Sequence, residues 1–381
     1  MIGQDCSAVE QGSQGTHYGR FLLGLVVCLS WALLGFGPPV LTSGGTPPDW
    51  RLDPGQVQAL VTAGRMPQVT ARAALLADAK TGQILLNQNG DQPLPPASTT
   101  KVMTALVVLE RTRPDDPVTV PASALIGEAS MGLLAGERLS VGDLLYGLLT
   151  VSGNDAAMAL AGHVAGTPDA FVVLMNQRAA AMNLAATHFA NPHGLDAPNH
   201  VMSASDLLTI TRAALTHDLF AQIVATPKSS VAGHLLVSTN ELLTTYPGAD
   251  GVKTGTTDAG GECLVASATR DGQKAIAIVL GSRDRYGDSR ALLDHYFAYY
   301  GWLRLGLPHN GLSRQRWPDG RVRELVAEAE PAVFLPRWQW PLVRTAIVIN
   351  RDGADDAPAG KAIYRLGTRM LAETSLRWRD P

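Results

Sequence analysis

Cysteine is almost missing from this chain of 381 residues. Cys6, Cys28 and Cys263 are too few and too scattered for a disulfide framework or a cysteine-ligated zinc site. Only Cys263 falls in the part that reads as folded, inside a strand-like run, and that placement suits a buried, inert thiol. Charge is thin as well. Charged residues make up 17% of the chain, the net charge is −3 and no basic tract occurs, so there is no electrostatic case for nucleic acid. His193 and His200 invite a metal reading, yet no His-Glu-x-x-His pair or other ligand spacing supports it, and neither metal nor cofactor is expected. Internal repeats and low-complexity tracts are lacking too. What is present is length enough for two or three domains and an apolar content of 46%, the composition of a globular protein.

Residues 21–37 are almost wholly apolar, with Arg20 before them and Pro38-Pro39 after. A run of this length suits a secretory apolar region or a short membrane span better than a surface helix. Residues 1–37 are therefore read as a leader that exports or anchors the chain, and the protein is expected outside the cytoplasm. Residues 38–67 are rich in proline and glycine and show no sustained period, which reads as a linker holding one short helix near Pro54–Ala63.

Ala71–Ala77 and Gln83–Leu86 flank a turn ending in Gly82, a hairpin signal, and a polar loop then delivers the chain to Pro95-Pro96-Ala97-Ser98-Thr99-Thr100-Lys101. A nearly all-apolar helix is expected to start at about Ser98. Residues three apart stack on a helix, so Ser98 and Lys101 come within reach, and a lysine kept neutral by apolar neighbours can take a serine's proton. Taken alone the pattern is equally that of a capped helix with a lysine one turn on. Ser140 and Asp143 have the spacing of a capping box, and the helix they start stops at Ser152-Gly153-Asn154-Asp155 before a second apolar helix, Ala156–Ala165. Asn154 or Asp155 caps that helix in the plain reading. In the functional one Ser152 relays a proton and Asn154 holds a substrate amide. Helices are further expected over Phe171–Met182, from Ser203 to Leu215 and over Asp294–Trp302. Lys253-Thr254-Gly255 should ride an edge strand beside the hairpin that turns at Asp271-Gly272, offering a cation and a hydroxyl to a carboxylate; a solvated lysine at a turn is the alternative.

The three motifs together, in this order and at these structural positions, resemble the penicillin-binding protein and serine β-lactamase superfamily. Within it the chain is similar to the low-molecular-mass D-alanyl-D-alanine carboxypeptidases from about Ala71 to Trp302. The resemblance rests on residues 96–101, 152–156, Asn191-Pro192-His193-Gly194-Leu195 and residues 250–255, and continues loosely into a turn at 357–361. It implies an α+β fold of the β-lactamase/transpeptidase kind, an antiparallel sheet flanked by helices plus a helical subdomain, over residues 68–305. Residues 306–381, with short strand-like runs, imply a small C-terminal all-β accessory domain.

The same resemblance implies the chemistry. Ser98 would attack the bond between two terminal D-alanines of a peptidoglycan stem peptide with Lys101 as proton acceptor. Ser152 would pass the proton on and Asn154 would orient the acylated peptide. Lys253, Thr254 and Gly255 would receive the terminal carboxylate, while the N–H groups of Ser98 and Thr256 would form the oxyanion hole. β-Lactams are expected as covalent inhibitors. Class A β-lactamases place a water-activating glutamate between the second and third motifs, and none occurs here between Ser152 and Glu241. Slow loss of bound penicillin is therefore expected. A β-lactamase, an endopeptidase or transpeptidase, and a silent wall-binding protein are the alternatives. Relatives that attach through a C-terminal amphipathic helix have no counterpart in the last residues of this sequence, so a membrane tether would have to be residues 21–37.

Overall fold

The computed structural model describes residues 40–42, 55, 66–307, 314–316, 320–350 and 359–379. The apolar segment 21–37 lies outside them, and so, but for Gly55, does the helix expected near Pro54–Ala63. Contacts divide the chain into two units. One is Arg51–Leu303 with Phe334–Trp340, and the other Met1–Trp50 with Arg304–Val333 and Pro341–Pro381. No single helix among the described residues is long and apolar enough to cross a membrane.

The larger unit is built on β1 (Ala73–Asp78), whose six residues are all buried, and β2 (Ile84–Gln88). Asp78 closes the turn between them by accepting from the Thr81 N–H at 2.8 Å and the Thr81 hydroxyl at 2.7 Å. The chain then enters the helical layer: α1 (Lys101–Leu109), α2 (Val141–Thr150), α3 (Asn154–Ala165), α4 (Pro168–Ala181), α5 (Ala204–Ala214) and α6 (Asp218–Val224). Side chains at helix starts set their boundaries. Ser140 and Asp143 form a reciprocal capping box at α2, Thr167 accepts from Ala170 N–H at α4, and Ser203 accepts from Asp206 N–H at α5. Three long strands return to the sheet, β3 (Ala249–Thr257), β4 (Gly261–Arg270) and β5 (Gln273–Ser282), and α7 (Arg285–Tyr299) closes the unit.

The sheet is antiparallel throughout, in the order β2-β1-β5-β4-β3, so β3 is an edge. Alternate residues of its buried strands face opposite layers. Leu75, Val265, Ile276 and Ile278 pack with Val102, Leu106 and Leu207 of the helical layer. On the other face Leu76, Leu264, Ala266 and Val279 pack with Leu292, Leu293 and Tyr296 of α7. That helix starts well before the expected Asp294. Its first turns are charged and carry no apolar stripe, and the start is set by Asp284, whose carboxylate accepts from Gly287 N–H at 2.8 Å. The helix also ends at Tyr299, short of the expected Trp302, and residues 300–304 are a strand.

The smaller unit holds an antiparallel six-stranded sheet. Its order is Val40–Thr42, Val343–Ile349, Gly360–Leu366, Arg369–Arg379, Val322–Ala327 and Arg314–Arg316. Val40–Thr42, which composition assigns to the linker, is an edge strand paired with residues 346–348. The eleven-residue strand Arg369–Arg379 was not among the strand-like runs legible in the sequence; arginines and a glutamate on its exposed face diluted the apolar run that marks a strand.

Asp78 ties the two ends of the larger unit together, since its second oxygen accepts from Tyr296 O–H at 2.7 Å and Trp302 Nε1–H at 3.4 Å. The replacement Asp78→Ala should lower unfolding free energy by about 3 kcal/mol, read by urea titration, because it leaves the Tyr296 hydroxyl and the turn donors without an acceptor.

Candidate active site

Ser98 stands in a 3-10 turn, Ala97–Thr100, that runs directly into α1. Pro96 is already in the right-handed helical region and Ala97 is forced to a φ of +49°, an uncommon conformation for a residue with a side chain. Three hydroxyl bonds fix this turn. Thr99 Oγ1 donates to Pro96 O at 2.6 Å, Thr100 Oγ1 donates to Ala97 O at 2.9 Å, and Thr104 Oγ1 donates to Pro192 O at 2.6 Å.

Lys101 is fully buried, and its Nζ lies 2.8 Å from Ser98 Oγ, 2.8 Å from Asn154 Oδ1 and 2.5 Å from the His193 carbonyl oxygen. Burial holds its pKa well below the usual lysine value, and the nearby Lys253 ammonium acts in the same direction; Asp155 and Glu128 oppose them. A neutral amine has two N–H donors and one lone pair. The amide oxygen and the peptide carbonyl can only accept, so they take the two N–H bonds. The lone pair is left facing the one partner that can give it a proton, the Ser98 hydroxyl.

Ser152 opens the interhelical loop with a φ of +64° and is buried, and its hydroxyl makes no side-chain hydrogen bond among the described residues. Asn154 is no helix cap, for that position belongs to Gly153. Its amide bridges Lys101 to the opposite loop, with Nδ2 donating to Gly127 O at 3.1 Å. Asp155 is not a cap either. Its carboxylate accepts from Ser130 Oγ–H at 2.6 Å and from the N–H groups of Met131, Gly132 and Leu133, which holds its pKa low and pins loop 127–133 on the Ser-Gly-Asn turn.

The third motif comes from the sheet edge. Lys253 is buried rather than solvated, donates from Nζ to Thr254 O at 2.9 Å, and has its pKa brought down to about 7 by burial and the Arg285 guanidinium. Thr254 Oγ1 lies 2.5 Å from Thr239 Oγ1. Gly255 is where β3 meets the nucleophile turn: a Cβ there would lie 2.8 Å from Ser98 N and 3.1 Å from Thr99 N. Thr256, exposed, follows on the same strand and pairs with Glu262. The structure thus gathers Ser98, Lys101 and Asn154 into one bonded group, sets Ser152 at the loop entering it, and brings the strand of Lys253, Thr254 and Gly255 against it. Among the described residues no three His, Cys, Asp or Glu side chains are grouped to hold a metal ion.

A profile of the D-alanyl-D-alanine carboxypeptidase family matches residues 60–284. The chain belongs to that family. The carboxypeptidase DacC of Escherichia coli is 37% identical over 293 residues, covering 72% of this chain and 73% of the relative. DacF of Bacillus subtilis is 35% identical over 244 residues, 60% of this chain but only 63% of the relative, less than two thirds of its length. Among solved structures, penicillin binding protein 6B of E. coli superposes with a TM-score of 0.67 at 31% identity, covering 82% of this chain and 96% of that one.

Two parts of this carboxypeptidase-family site escaped the sequence reading. The loop Asn191–Leu195, quoted only as a likeness, supplies the His193 carbonyl that Lys101 needs. It is shaped by Asn191, which accepts from Gly194 N–H at 2.7 Å and donates to Leu195 O at 2.9 Å. His200, weighed only as a metal ligand, props the nucleophile turn. Its Nδ1 accepts from Ala190 N–H at 2.9 Å, so the proton sits on Nε2, which donates across 2.8 Å to Thr100 Oγ1. Burial brings the pKa of this histidine down to about 4. The Asn-Pro turn signal could have marked the loop; nothing in sequence separation could have paired His200 with Thr100.

Gly194 has a φ of +92°, and a Cβ on it would strike the carbonyl of Ala97. Gly194→Ala should cut acylation of Ser98 at least about a hundredfold, measured by penicillin labelling, by shifting the turn on which the hydroxyl is aimed. Lys253 yields a stability test. Folded, it titrates at about 7, and unfolded at its ordinary 10.5, so between those values the unfolded chain binds the extra proton and stability rises with pH. Wild type should therefore gain stability relative to Lys253→Met from pH 7 to pH 9, by up to about 1 kcal/mol per pH unit in urea unfolding, with no relative change below pH 6.

Proposed function

We propose that this chain is a serine D,D-carboxypeptidase that removes the terminal D-alanine from peptidoglycan stem pentapeptides. The observation that carries the reading is the Lys101 environment, a buried amine whose two fixed acceptors leave its lone pair on Ser98.

Ser98 Oγ attacks the carbonyl carbon between the two D-alanines while its proton passes to Lys101 Nζ. The oxyanion forms between the N–H groups of Ser98 and Thr256. Collapse breaks the carbon–nitrogen bond, and the departing amine takes the proton through Ser152, whose hydroxyl is free of other side-chain bonds. Free D-alanine leaves and an ester on Ser98 remains, which water cleaves. Lys253 and Thr254 bind the terminal carboxylate; arrival of that anion raises the lysine's pKa again, so the cation is restored when substrate binds. Asn154 orients the acyl peptide.

The β-lactamase reading finds no support in the acids of the 153–240 segment that the site touches. Asp155 is engaged by five donors, Asp196 accepts from Ala259 N–H, and Asp206 accepts from Ala186 N–H and Thr187 Oγ–H. None is placed as an unoccupied base. Residues 21–37 export the chain or tether it to the membrane, with residues 38–67 leading into the catalytic domain, so the enzyme meets its substrate outside the cytoplasm.

Two measurements test this together. Wild type should release D-alanine from a synthetic peptide ending in D-Ala-D-Ala and form a long-lived adduct with a fluorescent penicillin, and Ser98→Ala should do neither. Lys101→Met should lose at least about a thousandfold in acylation rate. Rapid turnover of the penicillin would replace the carboxypeptidase reading with a β-lactamase, and an adduct without D-alanine release would leave a binding protein.

A further inference from the structure

We propose that Glu128 selects the peptide: its carboxylate receives a primary ammonium carried on the side chain of the residue that precedes the two D-alanines. The inference rests on the carboxypeptidase reading above and adds to it the class of stem peptide that the cleft prefers.

Position comes first. From Ser98 the contacts run one way to Gly255 of β3 and the other way through Lys101 to Asn154. Asn154 in turn holds the chain on both sides of Glu128, for its Nδ2 donates to Gly127 O at 3.1 Å and its backbone N–H donates to Ala129 O at 2.8 Å. Glu128 is therefore fixed, through its two neighbours, by the residue assigned to orient the acyl peptide. The acyl residue itself carries only a methyl group. The first side chain of the acyl peptide able to bear a charge belongs to the residue before it, about 3.3 Å further along an extended chain.

Backbone conformation sets this glutamate apart. Its φ is +69°, a region that glycine enters freely and that asparagine and aspartate tolerate through local side-chain bonds. Glutamate has no such advantage. The loop uses glycine on either side, at 127 and 132, yet keeps an exposed charged side chain at the strained position between them. Strain of this kind persists where the surroundings over-determine it, and ligand clamps are one such place.

Charge supplies the ligand. Nearby carboxylates are already occupied: Glu137 meets His234 at 2.7 Å, Glu262 meets Arg285 at 3.5 Å, and Asp155 has its five donors. Glu128 forms no hydrogen bond or ion pair with any described residue. Its field nevertheless reaches Lys101, where it favours the ammonium and so works against the base. A carboxylate without a partner at this spot opposes the reaction for as long as it stays without one. A bound cation cancels that field and leaves Lys101 to burial and Lys253, which favour the neutral amine, with Asp155 opposing. An ammonium is the charged donor that a peptide side chain can bring, and its bond to a carboxylate is among the stronger ones.

The test compares D-alanine release by the full chain from Nα-acetyl-L-lysyl-D-alanyl-D-alanine, whose side-chain amine is free, with release from the same peptide acetylated or succinylated on that amine. The inference expects wild type to show a kcat/KM at least about fivefold higher on the free amine than on the acetylated peptide. In Glu128→Gln the two should agree within about twofold, and in Glu128→Lys the succinylated peptide should become the best of the three, a reversal that a disturbed loop would not produce. The wild-type preference should shrink as salt rises from about 0.1 M to about 1 M. Circular dichroism melts of the variants guard against loss of the fold. Equal rates on the free and acetylated peptides in wild type, or a preference that survives Glu128→Gln, overturn the inference and leave the carboxypeptidase reading in place. Release from none of the three peptides overturns both.

Discussion

The amine of Lys101, buried without a carboxylate in contact, is the constraint on which the site depends. A charged ammonium there would touch only a carbonyl, an amide oxygen and a hydroxyl; burial and the nearby Lys253 oppose the charge, and Asp155 and Glu128 offset this only from beyond contact. Burial disfavours the charged form, and in the proposed reaction the neutral amine is the base that takes the Ser98 proton. The surrounding packing has to offset the cost of placing two lysines in this junction.

That packing comes from three directions. The helical layer provides the turn, α1 and the Ser-Gly-Asn loop; the Asn191–Leu195 loop presses on the turn through Gly194; the sheet edge presses through Gly255. Two glycines thus face the same few backbone atoms from separate parts of the chain. Each is required where it stands because the approach is closer than a methyl group allows. The positive φ values of Ala97 and Ser152 belong with this crowding, since both flank groups whose direction matters more than their comfort.

Much of the architecture was legible because local rules and the global fold agree. Capping residues at 140 and 203 and glycine-bearing turns each marked an element that the structure contains. Reading failed where the local signal was missing or polar. Charged first turns hid the start of α7, and exposed arginines hid the longest strand of the smaller unit. Within the site, side chains with their own chemistry could be named in advance. The His193 carbonyl could not, because a backbone oxygen has no letter in the sequence, and neither could the prop that His200 gives to Thr100, which spans a hundred positions. Asp155 has the spacing of a cap, but most of its partners are on a loop more than twenty residues upstream.

The bond from Lys101 to the His193 carbonyl joins residues 92 apart. In an extended chain that carbonyl is elsewhere, water surrounds the lysine, and its proton is retained at neutral pH. Ser98 is then an ordinary alcohol. The reactivity proposed for Ser98 is accordingly a property of the completed tertiary structure and not of the tetrapeptide that carries it, because the contacts that assemble the site are the long-range contacts of the fold itself.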